Sequence, residues 1–191
     1  DHRDLHSFPT RRSSDLDDVV DITNLHRQVL YTEKEAGLPK VECAKRRLQA
    51  LNSEVEIDAY PYRLTKENAH ELISRYDIVV DGMDNFMTRY IVSDECKLQG
   101  KPYVYGAIRG LDGQVAVLCK GHTTYRSLLP DEEATLSMPH PGKAVLGTTP
   151  AVVGSVEACQ VLMLAAEFGE PLIDRLWTVD LSTMMSYVIE M

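Results

Sequence analysis

"DIVVDGMDN", residues 77–85, decides the fold. Ile78, Val79 and Val80 make a short β-branched run that stops abruptly in Asp81, Gly82 and Asp84. Such a run, without polar alternation, reads as a strand buried on both faces. The carboxyl end of a strand like this is where an open α/β sheet presents loop residues to a ligand. Helical sequence flanks it: "TKENAHELISRY" (65–76), with Thr65 as N-cap, and residues 86–99.

Moving outward, strand and helix continue to alternate. Upstream, "EVEIDAY" (54–60) alternates as a strand does, and "GLPKVECAKRRLQALN" (37–52) places Pro39 near a helix start. Val41, Ala44, Leu48 and Leu51 follow at helical spacing, and "DDVV" (17–20) reads as a strand end. Downstream, "KPYVYGAIRG" and "GQVAVLCKG" are two strands around the turn "GLDG" at 110–113. Residues 120–149, rich in Gly, His, Thr, Ser and Pro, read as one long loop. A helix from Pro150 to Phe168 and strands near 176–181 and 184–190 complete the series. Alternation first and paired strands later predict an α/β fold. Its Rossmann-like, mainly parallel sheet is extended by antiparallel strands, with helices on both faces.

The chain has 191 residues, 44% of them hydrophobic, enough for one domain with a sizeable core. The net charge of −9 and the lack of a long basic run argue against a nucleic-acid surface. A phosphate site needs only a few local cations and remains open. Cys43, Cys96, Cys119 and Cys159 are far apart and form no CxxC pair. With no secretory signal, they read as reduced thiols in a cytoplasmic protein. The most apolar stretch, 144–166, contains Pro150, Glu157 and Gln160 and reads as a loop entering a buried helix rather than a membrane span. Residues 1–16, "DHRDLHSFPTRRSSDL", show no period and read as a non-native or disordered leader, leaving 17–191 as the domain.

Three polar clusters fall at strand ends or helix starts: Asn24 with Arg27, Lys40, and Asp84 with Asn85. Positions three apart share a helical face, so Asn24 and Arg27 can reach one ligand together, and a guanidinium suits phosphate. Two cations, two amides and a carboxylate fit a nucleotide triphosphate with Mg²⁺. Taken singly, each has a plainer explanation. Asn24 and Arg27 read as a solvated helical turn, Lys40 as a solvated helix-start residue and Asp84 as the N-cap of the next helix.

Longer words carry more. "DDVVDITNLHRQVLYTEKEAGLPKVECA", "DIVVDGMDNFMTRY" and "GTTPAVVGSVEACQVL" resemble the ThiF/MoeB/HesA family, bacterial relatives of ubiquitin-activating E1 enzymes, over nearly all of residues 17–191. The resemblance implies an adenylyltransferase (nucleotidyltransferase) that uses ATP and Mg²⁺ on the C-terminal glycine of a ubiquitin-like sulfur carrier such as ThiS or MoaD. It implies a homodimer, with no nucleic-acid or membrane partner. It carries over Asn24 and Arg27 as ATP contacts and Lys40 as a phosphate contact. Asp84 becomes the catalytic, Mg²⁺-associated acid, with Asn85 its nucleotide-side neighbour.

The sequence also departs from that pattern. The family's Gly-rich phosphate loop and its amino-terminal arginine are missing before residue 17, and Leu16 stands where a ribose-binding Asp belongs. The chain therefore reads as a fragment, expected to bind ATP poorly. Thr124 and Ser127 occupy the positions of the family's first zinc-binding CxxC pair, so zinc is not expected. No cysteine occupies the long loop, where His140 lies nearest the family's reactive cysteine and reads as an ordinary loop histidine. Cys119 reads as a strand residue facing the core. Two alternatives stay open. A Rossmann dinucleotide-binding oxidoreductase would need G-x-G-x-x-G after a strand, which is missing. A non-catalytic carrier-binding subunit would show Arg27, Lys40 or Asp84 degraded, and all three are present.

Overall fold

A computed structural model describes residues 19–138 and 145–191. His140 and the leader lie outside the described residues. The chain divides into two compact units: residues up to Leu64 together with Gly82–Asp84, and Thr65–Asp81 with Asn85–Met191.

The first unit is built from turns and one long helix. A 3₁₀ turn, Ile22–Asn24, is capped by Asp21, whose carboxylate accepts the Thr23 N–H at 2.8 Å. A second turn, Glu33–Glu35, leads through Gly37 (φ 82°) to helix α1, Lys40–Leu51. Of the strand end expected at 17–20, the described residues Val19 and Val20 form an isolated antiparallel bridge, Val19 to Pro39, with the Val20 N–H donating to Leu38 O at 2.8 Å. α1 forms as expected but buries a different stripe. Lys40, Cys43 and Ala44 are inside, whereas Leu51 is 74% exposed. "EVEIDAY" forms no strand: Ile57 is buried between exposed Glu56 and Asp58, so the period-two burial is present without a backbone ladder. Alternating side chains sort themselves between core and water, but a strand also needs a hydrogen-bonding neighbour.

The second unit is a five-stranded mixed sheet in the order β1-β2-β3-β4-β5. The strands are β1 Val79–Val80, β2 Tyr103–Arg109, β3 Asp112–Leu118, β4 Arg175–Asp180 and β5 Met185–Glu190. β1 pairs with β2 in parallel and the other three pairings are antiparallel. Mixed character is as expected. Among the described residues, however, antiparallel pairing dominates, because Val19, Val20 and residues 54–60 join no sheet.

Helices cover both faces. On one, α6 (Thr148–Ala166) packs Val153 and Val161 against Val104, Val115 and Val117. The segment long and apolar enough to cross a membrane by composition is thus, on its sheet-facing side, part of this core. The opposite face carries a run of tyrosines, Tyr103–Tyr105–Tyr125–Tyr90, with ring centres 6.5, 5.5 and 4.9 Å apart. Tyr90 belongs to α3 (Phe86–Gln99) and Tyr125 to α4 (Tyr125–Leu128). Edge and tilted contacts of this kind add to what burial alone contributes.

α2 (Lys66–Ser74) starts at Thr65, whose N–H donates to Asn68 Oδ1 at 2.9 Å. Its carboxyl end is closed by Lys101, which donates to the carbonyls of Ile73, Ser74 and Tyr76. The expected loop at 120–149 contains α4 and a second short helix, α5 (Glu132–Ser137). Capping explains both. Ser127 Oγ accepts the Thr124 N–H, and Asp131 Oδ1 accepts the Ala134 N–H at 2.9 Å.

Candidate functional site

Four of the five predicted site residues, Asn24, Arg27, Lys40 and Asp84, fall in the first unit, and Asn85 opens the second. Asn24 and Arg27 are joined directly, the guanidinium donating to Asn24 Oδ1. His26 adds a second hold. Its Nδ1 lies 2.9 Å from Thr23 O, and since that carbonyl can only accept, Nδ1 carries the proton. Nε2 then accepts from Arg27 Nη1 at 3.3 Å. Both Asn24 and Arg27 are half-buried. A guanidinium fixed from two sides retains donors for an anion while losing little rotamer freedom on binding.

Lys40 is not the solvated helix-start residue that its position alone suggests. It opens α1 and is 5% exposed. A cation at a helix amino terminus opposes the helix dipole, and its removal from water adds a further cost. Stability alone favours an acid or a small polar residue there. An ammonium beside the amide end of a helix can also meet an incoming anion.

Asp84 also departs from the plain reading. The N-cap of α3 is Asn85, whose Oδ1 accepts the Thr88 N–H at 2.9 Å. Asp84 lies one residue ahead of that N-cap and is exposed. Among the described residues no group of three or more His, Cys, Asp or Glu side chains could enclose a metal ion.

Two residues that organise the neighbourhood escaped the sequence reading. Arg89, on α3, donates from Nε to Asp81 Oδ2 at 2.8 Å and from Nη2 to Gly106 O at 3.2 Å. Its guanidinium carbon stands 5.7 Å from the centre of the Tyr105 ring. The pair is deeply buried, the side chains being 12% and 0% exposed. Burial is the largest influence and opposes the charge on Arg89, but the Asp81 carboxylate together with Tyr103, Tyr105 and Tyr125 outweighs it and holds the guanidinium firmly protonated. Glu157, from α6, rests against Gly106, where an added Cβ would come within 2.3 Å of its Oε1. Burial, reinforced by Asp81, pushes the Glu157 carboxyl up to about 9, so it is neutral at pH 7. The signals were present: an arginine eight residues after the strand-ending acid, and one carboxylate within an otherwise apolar helix.

The positions corresponding to the family's first zinc-binding pair are used differently. Thr124 Oγ1 and Ser127 Oγ lie 3.1 Å apart within the cap of α4. All four cysteines are free, with Cys43 and Cys96 buried. Cys119 lies just beyond β3, half-buried, and its thiol is pushed up by that burial.

Residues 15–191 match the ThiF family. The chain is 48% identical to a sulfur carrier protein adenylyltransferase of Thermus thermophilus, over 85% of this chain and 63% of that protein. It is 41% identical to the adenylyltransferase and sulfurtransferase MOCS3 of Arabidopsis thaliana, over 90% of this chain and 38% of the relative. With a SAMP-activating enzyme E1 of Haloferax volcanii the identity is 37%, over 88% and 63%. The chain thus spans less than two thirds of these relatives. Among solved structures, E. coli MccB with ATP superposes with a TM-score of 0.78 at 22% identity, covering 92% of this chain and 55% of MccB. That likeness establishes the fold.

Proposed function

This chain belongs to the ThiF family, and from that premise we propose that it adenylates the C-terminal carboxylate of a ubiquitin-like sulfur carrier. The carrying observation is Lys40, a cation buried at the positive end of α1, in the same compact unit as the Asn24–Arg27 pair and Asp84. A polyphosphate is a ligand class that an ammonium at the amino end of a helix can meet.

In this reading Arg27 and Lys40 neutralise the phosphates of ATP, while Asn24 fixes the Arg27 fork and Asn85 contacts the nucleotide. The carrier carboxylate attacks the α-phosphorus. A new P–O bond forms, the bond to the bridging oxygen breaks, and pyrophosphate leaves with that electron pair. The products are an acyl adenylate and pyrophosphate. Asp84 fits Mg²⁺ of the kind that arrives with a nucleotide, since such ions use one or two carboxylates plus phosphate oxygens rather than an all-protein cage. When bound, the ion neutralises developing phosphate charge. Positioning and electrostatics supply most of the catalysis.

No zinc is expected at Thr124 and Ser127. Neutral hydroxyls at Thr124 and Ser127, already engaged with each other, are no substitute for thiolates. A cytoplasmic setting accords with four free cysteines. A homodimer accords with exposed Leu162 and Phe168 on and just beyond α6.

The test is exchange of labelled pyrophosphate into ATP with a carrier ending in Gly-Gly. Exchange that requires the carrier and is lost in Lys40→Met supports the reading. Exchange that ignores the carrier, or survives that substitution intact, overturns it.

A further inference from the structure

Asp84 is carried by a stretch of three residues whose two ends are tied to each other. Gly82–Asp84 groups with the first unit, while Asp81 before it and Asn85 after it belong to the second. At the upstream end, the Asp81 N–H donates to Val104 O at 2.8 Å and the Asp81 carboxylate accepts from Arg89 at 2.8 Å. At the downstream end, Asn85 caps α3, and Arg89 stands four residues further along the same helix. The ion pair thus closes a ring from residue 81 to residue 89. Arg89 is itself held by the Gly106 carbonyl and the Tyr105 ring. Gly106 is also where Glu157 packs from α6.

We propose that Arg89 is a positioning residue. Its fork between Asp81 and Gly106 fixes the backbone on either side of the 82–84 stretch, the segment that carries Asp84. The inference rests on the adenylation reading of Asp84. A stability role alone accounts poorly for the pair, because an ion pair taken out of water is often no better than apolar residues of the same volume. A planar guanidinium bonded to two acceptors and stacked on an aromatic ring supplies direction, which a flexible ammonium lacks.

The test combines hydrogen exchange on the unliganded protein with the Mg²⁺ dependence of carrier-dependent pyrophosphate exchange. Arg89→Lys keeps the charge and loses the fork. Asp81→Asn keeps the shape and one acceptor oxygen, and serves should the lysine variant fail to fold. In Arg89→Lys, amides 82–86 should exchange faster by on the order of tenfold, with those of β2 and β3 at wild-type rates. The Mg²⁺ concentration for half-maximal activity should rise by about threefold or more and kcat should fall, with the KM for the carrier unchanged. Asp81→Asn should show the same pattern more weakly. Wild-type protection at 82–86 in both variants overturns the proposal whatever the activity. So does loosened protection with an unaltered Mg²⁺ requirement. Full activity in Asp84→Ala would overturn the adenylation role of Asp84 itself, and the positioning role with it.

Discussion

The turn at 21–28 and the paired strands at 103–118 are held together by different physics. The turn is local: a cap from Asp21, one 3₁₀ turn, and an Asn–His–Arg chain of side-chain hydrogen bonds. None of the residues of that 3₁₀ turn is buried. The strands are non-local, with seven paired positions between β2 and β3 and Tyr103, Val104, Val115, Ala116 and Val117 all at 0% exposure. The Asn24 and Arg27 side chains therefore sit where a substitution leaves the core intact, and the strands supply the rigidity.

If that division holds, activity and stability should separate cleanly. The largest effect is expected at Asp84, which is exposed and precedes the N-cap of α3. Asp84→Ala should lower the rate of pyrophosphate exchange by on the order of 10²-fold or more, the scale of one preorganised electrostatic group. Its thermal midpoint should not move by a measurable amount. Leu118→Ala is the mirror image. Leu118 is 2% exposed beside the tyrosine run, and its truncation should cost about 2–5 kcal/mol in denaturant unfolding. Protein of that variant that remains folded should retain its Mg²⁺ requirement. An Asp84 variant that unfolds easily, or a Leu118 variant with altered Mg²⁺ dependence, would break the division.

The same contrast explains what could be read in advance. α2, α3, α6 and β2 to β4 were legible because their pattern and their packing agree, whereas α1 kept its place but buried a different stripe and β5 is exposed throughout. Residues 54–60 were not, because alternation reports burial and is silent about whether a hydrogen-bonding partner exists. α4 and α5 were hidden by composition, since Ser and Thr mark loops and caps alike and only the spacing from Thr124 to Ser127 separates the two. At the candidate site, residue types were readable but their burial was not. Nothing in "GLPK" announces that Lys40 is withdrawn from water, and that burial gives it significance. The eight-residue spacing hints at the Arg89–Asp81 pair, but the hold of Arg89 on Gly106 depends on the register that brings Val80 beside Val104.

A smaller, pH-dependent effect tests how tightly the two faces of the sheet are joined at Gly106. Glu157 has an ordinary value of 4.5 and is pushed up to about 9 in the fold, by burial first and Asp81 second, with Arg89 opposing. The folded state therefore retains a proton that the unfolded chain releases. This contribution to stability is complete below about pH 4.5 and is lost as pH rises toward 9. The slope approaches about 1.4 kcal/mol per pH unit within that window. Glu157→Gln keeps the shape without the titration. Urea midpoints between pH 6 and 9 should fall in the parent protein and stay level in the variant. A variant that keeps the parent's slope would place the titrating group elsewhere.

The smallest effect separates two duties at Asn85. Its Oδ1 caps α3 by accepting the Thr88 N–H, while the same side chain carries an amide NH₂ that can donate to a nucleotide. Alanine removes both and should cost about 1 kcal/mol of stability as well as nucleotide affinity. Serine is the informative replacement. It caps nearly as well, so its thermal midpoint should match the parent's within error, yet it lacks the amide and its reach. If Asn85 serves only the helix, Asn85→Ser should have the parent's KM for ATP. If it also serves the ligand, KM should rise by roughly fivefold, the scale of one neutral hydrogen bond, with kcat little changed. A rise in KM without loss of stability would place residue 85 on the chemical side of the comparison, although its visible hydrogen bond belongs to the scaffold.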